Sequence, residues 1–398
     1  MSLRIAGGLM MALAGAAFAV TAYAQAPTPP GGAYVILNAE ESNQNAITAQ
    51  ALADPGVDGL LIHLRWSEFS TGLETYDWPQ LDNAVTMAKK AKKRFEFGIV
   101  IGGATPPWVV DPPPGLNAKH GSFVDSAAGK CVSFTMAAPY DPHSLAAFRN
   151  LLQQIAHHLH QTGGYDSLGM LKLFGITTTT DELRLPALRR CGSNAIQTWR
   201  RLGYTPAKVR AAWNTMLQDY LDFFPDKSFN IGFIPDNAFP GIRDDGTPAA
   251  TTEEAKALSA ELAATLIADA GAAMPGRLAL GFDSLTLSVP PGYTAYQVST
   301  AAFLAAAVGA GARLGYQTNE LLGEFPKGGA SCGGSSPANA VPCTGAKDFA
   351  SMLRDGLLHV GFPSDLQGVY IEVFPQNVVA FAPAMQTVHS DIAAWTGE

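Results

Sequence analysis

Val57-Asp-Gly-Leu-Leu-Ile-His-Leu-Arg-Trp66 is a mostly apolar run that predicts a strand, and the pattern it begins decides the fold. An amphipathic stretch over Pro79 to Lys93 then predicts a helix, and Arg94 to Gly102 predicts a second strand. A strand, a helix and a strand in this order are typical of a parallel βαβ unit. The fold class therefore depends on how often the unit repeats.

The alternation continues along the whole chain. Eight strand-like runs occur: Ala33 to Asn38, Val57 to Trp66, Arg94 to Gly102, Leu171 to Thr177, Ser228 to Ile234, Leu278 to Phe282, Arg313 to Gln317 and Gly368 to Phe374. Helix candidates lie between and after them: Pro79 to Lys93, His143 to Gln161, Pro206 to Phe224, Thr252 to Gly271, Ala295 to Ala310, Ala346 to Leu358 and Ala380 to Thr396. An open doubly wound sheet would alternate too, but the segment after the first run, Asn38-Ala-Glu-Glu-Ser-Asn, offers no phosphate-binding glycine loop. A single α/β (β/α)8 TIM barrel is predicted, with long loops on its C-terminal face.

The start of the chain has the pattern of a secretory signal peptide. Arg4 precedes an apolar stretch from Ile5 to Val20, and small residues close the segment at Ala24. We therefore expect a signal peptide over residues 1–24, a short tether over 25–32 and a catalytic barrel over 33–398, in a protein exported to the periplasm or beyond the cell.

Composition limits the partners of the chain. Of 398 residues, 47% are hydrophobic and only 15% are charged, so a large core can form. The formal net charge of -8 argues against a nucleic-acid partner, which would need a concentrated basic surface. Gly, Pro and charged residues interrupt every later apolar run, so no membrane contact is expected after signal cleavage.

Four cysteines in an exported chain predict two disulfides. Cys332 and Cys343 bracket a Gly/Ser/Pro-rich segment that a bridge would order, which leaves Cys131 with Cys191 by elimination. A zinc site is the rival interpretation, but the sequence has no Cys-x-x-Cys and no His at ligand spacing from a cysteine. We predict no metal and no other cofactor.

Two short segments place carboxylates where apolar runs stop. They are Thr-Thr-Asp181-Glu182-Leu-Arg-Leu-Pro, after the fourth predicted strand, and Tyr316-Gln-Thr-Asn319-Glu320, after the seventh. The loops that follow barrel strands build the active face, and those after the third, fourth and seventh runs are long. Glycosidic bond cleavage needs one carboxylic acid and one carboxylate, separated by roughly 5 to 5.5 Å when the anomeric configuration is retained. A catalytic carboxylate pair is therefore predicted at the mouth of the barrel.

Each segment also has an ordinary structural interpretation. Glu182 could belong to a turn before a helix, and Asn319-Glu320 could be an N-cap with a first-turn acid. Their joint occurrence after the fourth and seventh strands favours function. Glu372, near the end of the eighth run, is a rival nucleophile or a residue that lines a sugar site. No Gly-x-Ser-x-Gly elbow supports a serine hydrolase.

Three further segments carry a resemblance to a known group of enzymes: Gly56 to Glu68, Gly72 to Asp82 with its Tyr76-Asp-Trp78, and Pro106-Pro-Trp108. With the two acidic segments, they resemble the retaining (β/α)8 glycoside hydrolases of clan A. The resemblance implies Glu182 as acid/base and Glu320 as nucleophile. It also implies Arg65 as the partner that holds the nucleophile ionised.

One position departs from the clan pattern. Clan members usually carry Asn directly before the acid/base, to hydrogen-bond the 2-hydroxyl of the sugar, and this chain has Asp181. The departure leaves open both the recognition of that hydroxyl and the choice of Glu182 over Asp181.

The predicted function is a secreted glycosidase that cleaves a β-linked oligosaccharide or polysaccharide by retaining double displacement. Four aromatic rings, Trp66, Trp108, Tyr316 and Phe374, could stack on the sugar, and Asn319 could bind it. A carbohydrate-binding barrel without catalysis is one alternative. A barrel hydrolase with a non-sugar substrate is the other, because fold alone does not fix chemistry.

Overall fold

A computed structural model describes residues 29–38, 44–112, 118–127, 130–187, 189–190, 192–233, 237–285, 313–318, 353 and 368–396. Eight parallel strands close into a barrel in chain order, with the last strand pairing with the first. The strands are β1 Gly32–Asn38, β2 Gly59–Arg65, β3 Arg94–Val100, β4 Leu168–Lys172, β5 Ser228–Phe233, β6 Leu278–Leu285, β7 Arg313–Thr318 and β8 Gly368–Val373. The prediction of a closed (β/α)8 barrel is confirmed.

Helices surround the strands. In the described ranges they are α1 Gln44–Leu52, α2 Trp66–Phe69, α3 Pro79–Ala91, α4 Pro107–Val110, α5 Pro142–Thr162, α6 Ala195–Leu202, α7 Pro206–Phe223, α8 Thr252–Ala273, α9 Pro375–Ala380 and α10 Ala382–Thr396. Short 3-10 turns lie at Gly102–Ala104 and Tyr165–Ser167. The predicted helix at Ala295 to Ala310 lies outside the described residues, and so does most of the one at Ala346 to Leu358. None of the helices described here is long and apolar enough to cross a membrane.

Local sequence explains where the long helices begin and end. Asp141 caps α5 by accepting hydrogen bonds from the backbone N–H groups of His143 and Ser144, and Pro142 occupies the first turn. The helix ends at Gly163, whose φ of 67° is left-handed. The buried face of α5 repeats at helical spacing, with Leu151, Leu152, Ile155 and Leu159. Burying a side chain of this size contributes about 1.5 to 3 kcal/mol.

The strands separate an outer core from a barrel interior. In β2, Leu60, Ile62 and Leu64 belong to the large core between strands and helices. Successive side chains of a strand point to opposite faces, so Leu61 and His63 face the interior. The interior has its own small apolar cluster, made of Tyr34, Ile36, Leu61, Met170, Ala279 and Tyr370. The charged residues described below share this interior.

Glycines make room for the large interior side chains. Tyr34 lies beside Gly59 of the next strand, and a Cβ at Gly59 would lie 2.3 Å from the Tyr34 ring. Tyr370 lies beside Gly315 in the same way, at 2.5 Å. Each tyrosine therefore fills space that its neighbouring strand leaves empty.

The connections after β3 and β4 are long, as predicted. The first carries α4 and an antiparallel hairpin of His120–Ala127 with Lys130–Ala137. The second carries the residues considered next, then α6. A smaller hairpin, Ser70–Gly72 with Thr75–Tyr76, follows β2.

Candidate active site

Strand β4 ends earlier than the sequence predicts, and its end shapes the site. The prediction extends to Thr177, but the strand stops at Lys172. The Leu173 N–H donates to the Asn230 carbonyl at 2.7 Å, and the next hydrogen bond to β5, at Gly232, comes from Leu183 at 2.7 Å. Carbonyls two residues apart accept successive bonds along a parallel pair, so Leu183 takes the place that residue 175 would have in an uninterrupted strand. Residues 174–182 stand where an uninterrupted strand would have a single residue, and we call this segment the β4 excursion.

The β4 excursion is fixed against the end of β3. The Thr177 hydroxyl accepts hydrogen bonds from the backbone N–H groups of Ile101, at 3.0 Å, and Gly102, at 3.3 Å. The Gly103 N–H donates to the Thr178 carbonyl at 2.6 Å. At its start, Gly175 has φ +125°, a conformation that L side chains rarely adopt. These contacts direct the acidic end of the excursion back towards the barrel.

Asp181 is the carboxylate that the excursion brings into the barrel. Its Oδ2 lies 3.0 Å from Lys172 Nζ and 3.3 Å from His63 Nε2. The Lys172 side chain is fully buried, and that of Asp181 is 9% exposed. Gly98 of β3 leaves room for the pair, because a Cβ there would lie 3.0 Å from the same Asp181 oxygen.

The partners of Asp181 keep it ionised. Burial alone would raise the pKa of this carboxyl, but the charges of His63 and Lys172 and their hydrogen bonds outweigh burial and hold the pKa well below its ordinary value of 3.8. Asp181 is therefore an anion at neutral pH.

Deeper in the barrel, Lys172 also binds Glu372 of β8, with 2.9 Å between Nζ and Oε2. The other oxygen of Glu372 accepts from the Tyr370 hydroxyl at 2.9 Å and from the Asn230 amide at 3.3 Å. The same hydroxyl and the same amide also contact Glu96 of β3, the amide at 3.4 Å. One ammonium, one amide and one phenol thus link three carboxyl groups that belong to β3, β8 and the β4 excursion.

The environment separates the acidities of these groups. Burial, followed by repulsion from Glu372, raises the pKa of Glu96 to about 8, although Lys172 and two hydrogen bonds oppose the change. Burial also raises the pKa of Tyr370 well above its ordinary value. Glu96 is therefore mostly protonated at neutral pH, whereas Asp181 is ionised.

Glu182 points away from the group of Asp181, Lys172, His63, Glu372 and Glu96, which we call the interior cluster. Its Oε2 accepts a hydrogen bond from the Thr180 hydroxyl and lies 3.6 Å from Arg184 Nε. Arg184 also lies 3.8 Å from Asp125 of the β3-β4 hairpin. The Glu182 side chain is 13% exposed, so it remains accessible at the loop side of the excursion. The two neighbouring acids face different surroundings.

The residues predicted after β2 lie at the mouth. Arg65 ends β2, and its Nε lies 3.3 Å from Glu68 Oε1. Trp108 is half-buried and donates from Nε1 to the Ser70 hydroxyl at 3.3 Å. Its ring packs edge-on against Trp66, with 6.0 Å between centroids.

Two of the aromatic residues predicted to stack on a sugar are buried. Trp66 is 2% exposed and Tyr316 is 5% exposed, and both belong to the hydrophobic core between the barrel and its helices. Both rings pack in the barrel wall, whereas Trp108 and Phe374 are partly exposed.

Other predictions lie outside the described residues. Asn319 and Glu320 follow the last described residue of β7, Thr318, which is fully buried. Cys131 lies in the hairpin after β3 and is disulfide-bonded. Cys191, Cys332 and Cys343 are outside the described residues, so both pairings stay predictions.

Sequence analysis missed most of the interior cluster. Glu96, Lys172 and His63 are single ionisable residues within otherwise apolar strands, in Arg94-Phe-Glu-Phe-Gly, Gly169-Met-Leu-Lys and Leu60-Leu-Ile-His-Leu. An ionisable residue at an inward-facing position of a buried strand needs a partner, because burying an unpaired charge costs too much free energy. That signal was present in the sequence. Their grouping requires the closed barrel.

A separate groove of about 700 Å³ lies on the outside of the barrel, between α7, α8 and the loop before α8. Its arginines already have partners, since Arg210 binds Asp269 at 2.7 Å and Arg243 Nε binds Glu254 at 2.7 Å. We therefore place the candidate site in the barrel. Over the residues that the structure describes, no cluster of three or more His, Cys, Asp or Glu side chains could hold a metal ion.

Comparison with solved structures finds the same barrel elsewhere. The chain is similar to the catalytic domain of a β-amylase from Paenibacillus polymyxa, with a TM-score of 0.55 and 12% identity over 89% of this chain and 94% of that chain. It is also similar to a β-galactosidase from the psychrophilic Marinomonas ef1, with a TM-score of 0.51 and 12% identity over 92% of this chain and 60% of that one. No family model matches the sequence, and no curated protein matches it. At this identity the similarity establishes the (β/α)8 fold.

Proposed function

We propose that the protein is an exported glycoside hydrolase whose active site lies at the carboxyl ends of the barrel strands. One observation carries the proposal: the β4 excursion delivers two adjacent acids to this end of the barrel, into different environments. Active sites of (β/α)8 enzymes lie on this face. The similarity in fold to a β-amylase and a β-galactosidase, both named for carbohydrate substrates, supports the same assignment.

In this proposal Glu182 is the acid/base, Glu320 is the nucleophile and the configuration is retained. The contacts of Asp181 favour Glu182 as the proton donor. Lys172 and His63 hold Asp181 as an anion, and an anion has no proton to give. Asp181 then binds the substrate, accepting a hydrogen bond from a sugar hydroxyl where clan A members use Asn.

The test is hydrolysis of a panel of aryl β-glycosides and plant or bacterial oligosaccharides by the wild type, Glu182→Gln, Asp181→Asn and Glu320→Gln. Loss of the acid/base or of the nucleophile typically lowers kcat by at least about 10²-fold. Azide rescue of Glu182→Gln, with a glycosyl azide of retained configuration, would identify the acid/base. Glu253→Gln is the matched control, because Glu253 is exposed on the first turn of α8.

The outcomes separate the alternatives. Full activity in Glu182→Gln together with loss in Asp181→Asn would transfer the acid/base role to Asp181. Full activity in Glu320→Gln would refute the nucleophile assignment and direct attention to Glu372. Absence of turnover on every glycoside by the folded wild type would contradict the enzyme proposal, and retained glycan binding would then indicate a carbohydrate-binding barrel.

A further inference from the structure

The Tyr370 hydroxyl is shared by two buried glutamates of the barrel interior. A phenol has one O–H to donate, yet this oxygen contacts Glu96 and also lies 2.9 Å from Glu372. The single O–H of Tyr370 therefore serves two buried carboxyl groups, and it compensates two ionised carboxylates poorly. This arrangement favours one neutral glutamate.

The other contacts decide which glutamate it is. Glu372 receives three donors, from Lys172 at 2.9 Å, Tyr370 at 2.9 Å and Asn230 at 3.3 Å. Both carboxyl oxygens of Glu372 therefore have a donor, and one of the donors is an ammonium. Among the described residues, Glu96 has as donors only the amide of Asn230, at 3.4 Å, and the Tyr370 phenol. The proton belongs on Glu96, which agrees with the rise in its pKa that burial causes.

We propose that Glu96 is a positioning residue that, by staying neutral, leaves Lys172 able to hold Asp181 at the mouth. Lys172 is fully buried and is shared between Glu372, at 2.9 Å, and Asp181, at 3.0 Å. When Glu96 loses its proton to solvent at high pH, a second anion stands beside Glu372 and draws the ammonium inward. Among the described residues, His63, at 3.3 Å, then remains beside Asp181.

We call Glu96, Lys172 and Asp181 the charge relay. The charged and titratable groups around it come from four strands and one loop. Glu96 faces Tyr370 and Glu372 of β8 and Lys172 of β4, while Asn230 of β5 is the neutral donor. Asp181 of the β4 excursion faces Lys172 and His63 of β2. Glu96 thus acts on the mouth from inside the barrel, without being placed to contact a substrate.

The kinetic consequence rests on the proposed function, but the charge relay does not. We therefore test the relay by carbon NMR of a sample labelled at aspartate carboxyls, with the Asp181 signal identified from Asp181→Asn. In the wild type this signal should shift with an inflection at about pH 8, where Glu96 ionises. In Glu96→Gln, whose side chain is neutral and of the same shape, the inflection should be absent, and the control Glu253→Gln should keep it. An inflection that persists in Glu96→Gln, or a wild type without one, would overturn the proposal.

A second variant, Tyr370→Phe, tests the same inference if Glu96→Gln does not fold. The Tyr370 hydrogen bond lowers the pKa of Glu96, so Tyr370→Phe should move the inflection to higher pH. An inflection that stays in place or moves down would count against the relay. If a substrate is found, the alkaline limb of kcat/KM should disappear in Glu96→Gln, and superimposable pH profiles would refute the positioning role. If no glycoside is cleaved, the proposed function fails while the carbon signal still decides this inference.

Discussion

Replacing Lys172 by Met should be among the most destabilising single changes in the barrel. Lys172 Nζ binds Glu372 at 2.9 Å and Asp181 at 3.0 Å, and its side chain has no exposed surface. Methionine fills a similar volume but leaves both carboxylates without the ammonium. Removing one member of a buried ion pair costs about 3 to 5 kcal/mol of unfolding free energy, because the partner charge stays buried. Urea denaturation at neutral pH, followed by circular dichroism, measures this loss.

A double-mutant cycle separates charge pairing from loss of packing. Glu372→Gln removes one of the stranded charges, so Lys172→Met with Glu372→Gln should lose less than the sum of the single losses, with a coupling of about 1 to 3 kcal/mol. Arg210 and Asp269 form the control cycle, because their contact of 2.7 Å lies at the surface, and it should show far weaker coupling. Additive losses at Lys172 and Glu372 would refute the argument that their pairing stabilises the interior.

Three further predictions concern the same interior. Burial raises the pKa of Glu96 from 4.5 to about 8. Between those pH values the folded protein keeps a proton that the unfolded chain has lost, so the free energy of unfolding falls by about 1.4 kcal/mol for each unit that the pH rises. Glu96→Gln should remove this contribution from the measured slope of unfolding free energy against pH. An unchanged slope would count against the raised pKa of Glu96. The pKa of Asp181 is lowered instead, so its contribution is present above pH 3.8 and declines as the pH falls; Asp181→Asn should therefore make acid unfolding shallower than in the wild type, and identical acid profiles would contradict the pairing. Gly98→Ala would place a Cβ 3.0 Å from Asp181 Oδ2 and 3.1 Å from Lys172 Cδ, which should cost about 1 to 3 kcal/mol, while Gly271→Ala, which meets no neighbour within 4 Å, should not lower the melting temperature.

The fold was predictable because its signal is repeated. Each strand of the barrel is a short apolar run followed by a helical pattern, and an error in one boundary leaves the alternation intact. The end of β4 shows what a boundary error hides. Leu173 to Thr177 are apolar or β-branched enough to read as strand, but Gly175 and the hydrogen bonds of Thr177 to β3 divert them into the excursion.

The site was predictable only in part, for a physical reason. Asp181 and Glu182 are adjacent in sequence and identical in any pattern of charge, yet one binds Lys172 and the other lies beside Arg184. Which acid faces the interior depends on how the excursion returns to β5 through Leu183. Such information resides in contacts between distant segments, which no local pattern contains.

The pairing of interior tyrosines with glycines has a consequence for how the barrel assembles. Tyr34 fits only opposite a residue without a side chain, and moving β1 by two residues along β2 would place its ring against Leu61 in place of Gly59. Tyr370 restricts β8 against β7 in the same manner at Gly315. A shift of two residues preserves the inward and outward pattern of every strand, so hydrophobic patterning alone does not reject it. The shift would bring each tyrosine ring into a steric clash with a side chain of the neighbouring strand. The two tyrosines therefore select one register of β1 on β2 and of β8 on β7 among those that the apolar pattern permits.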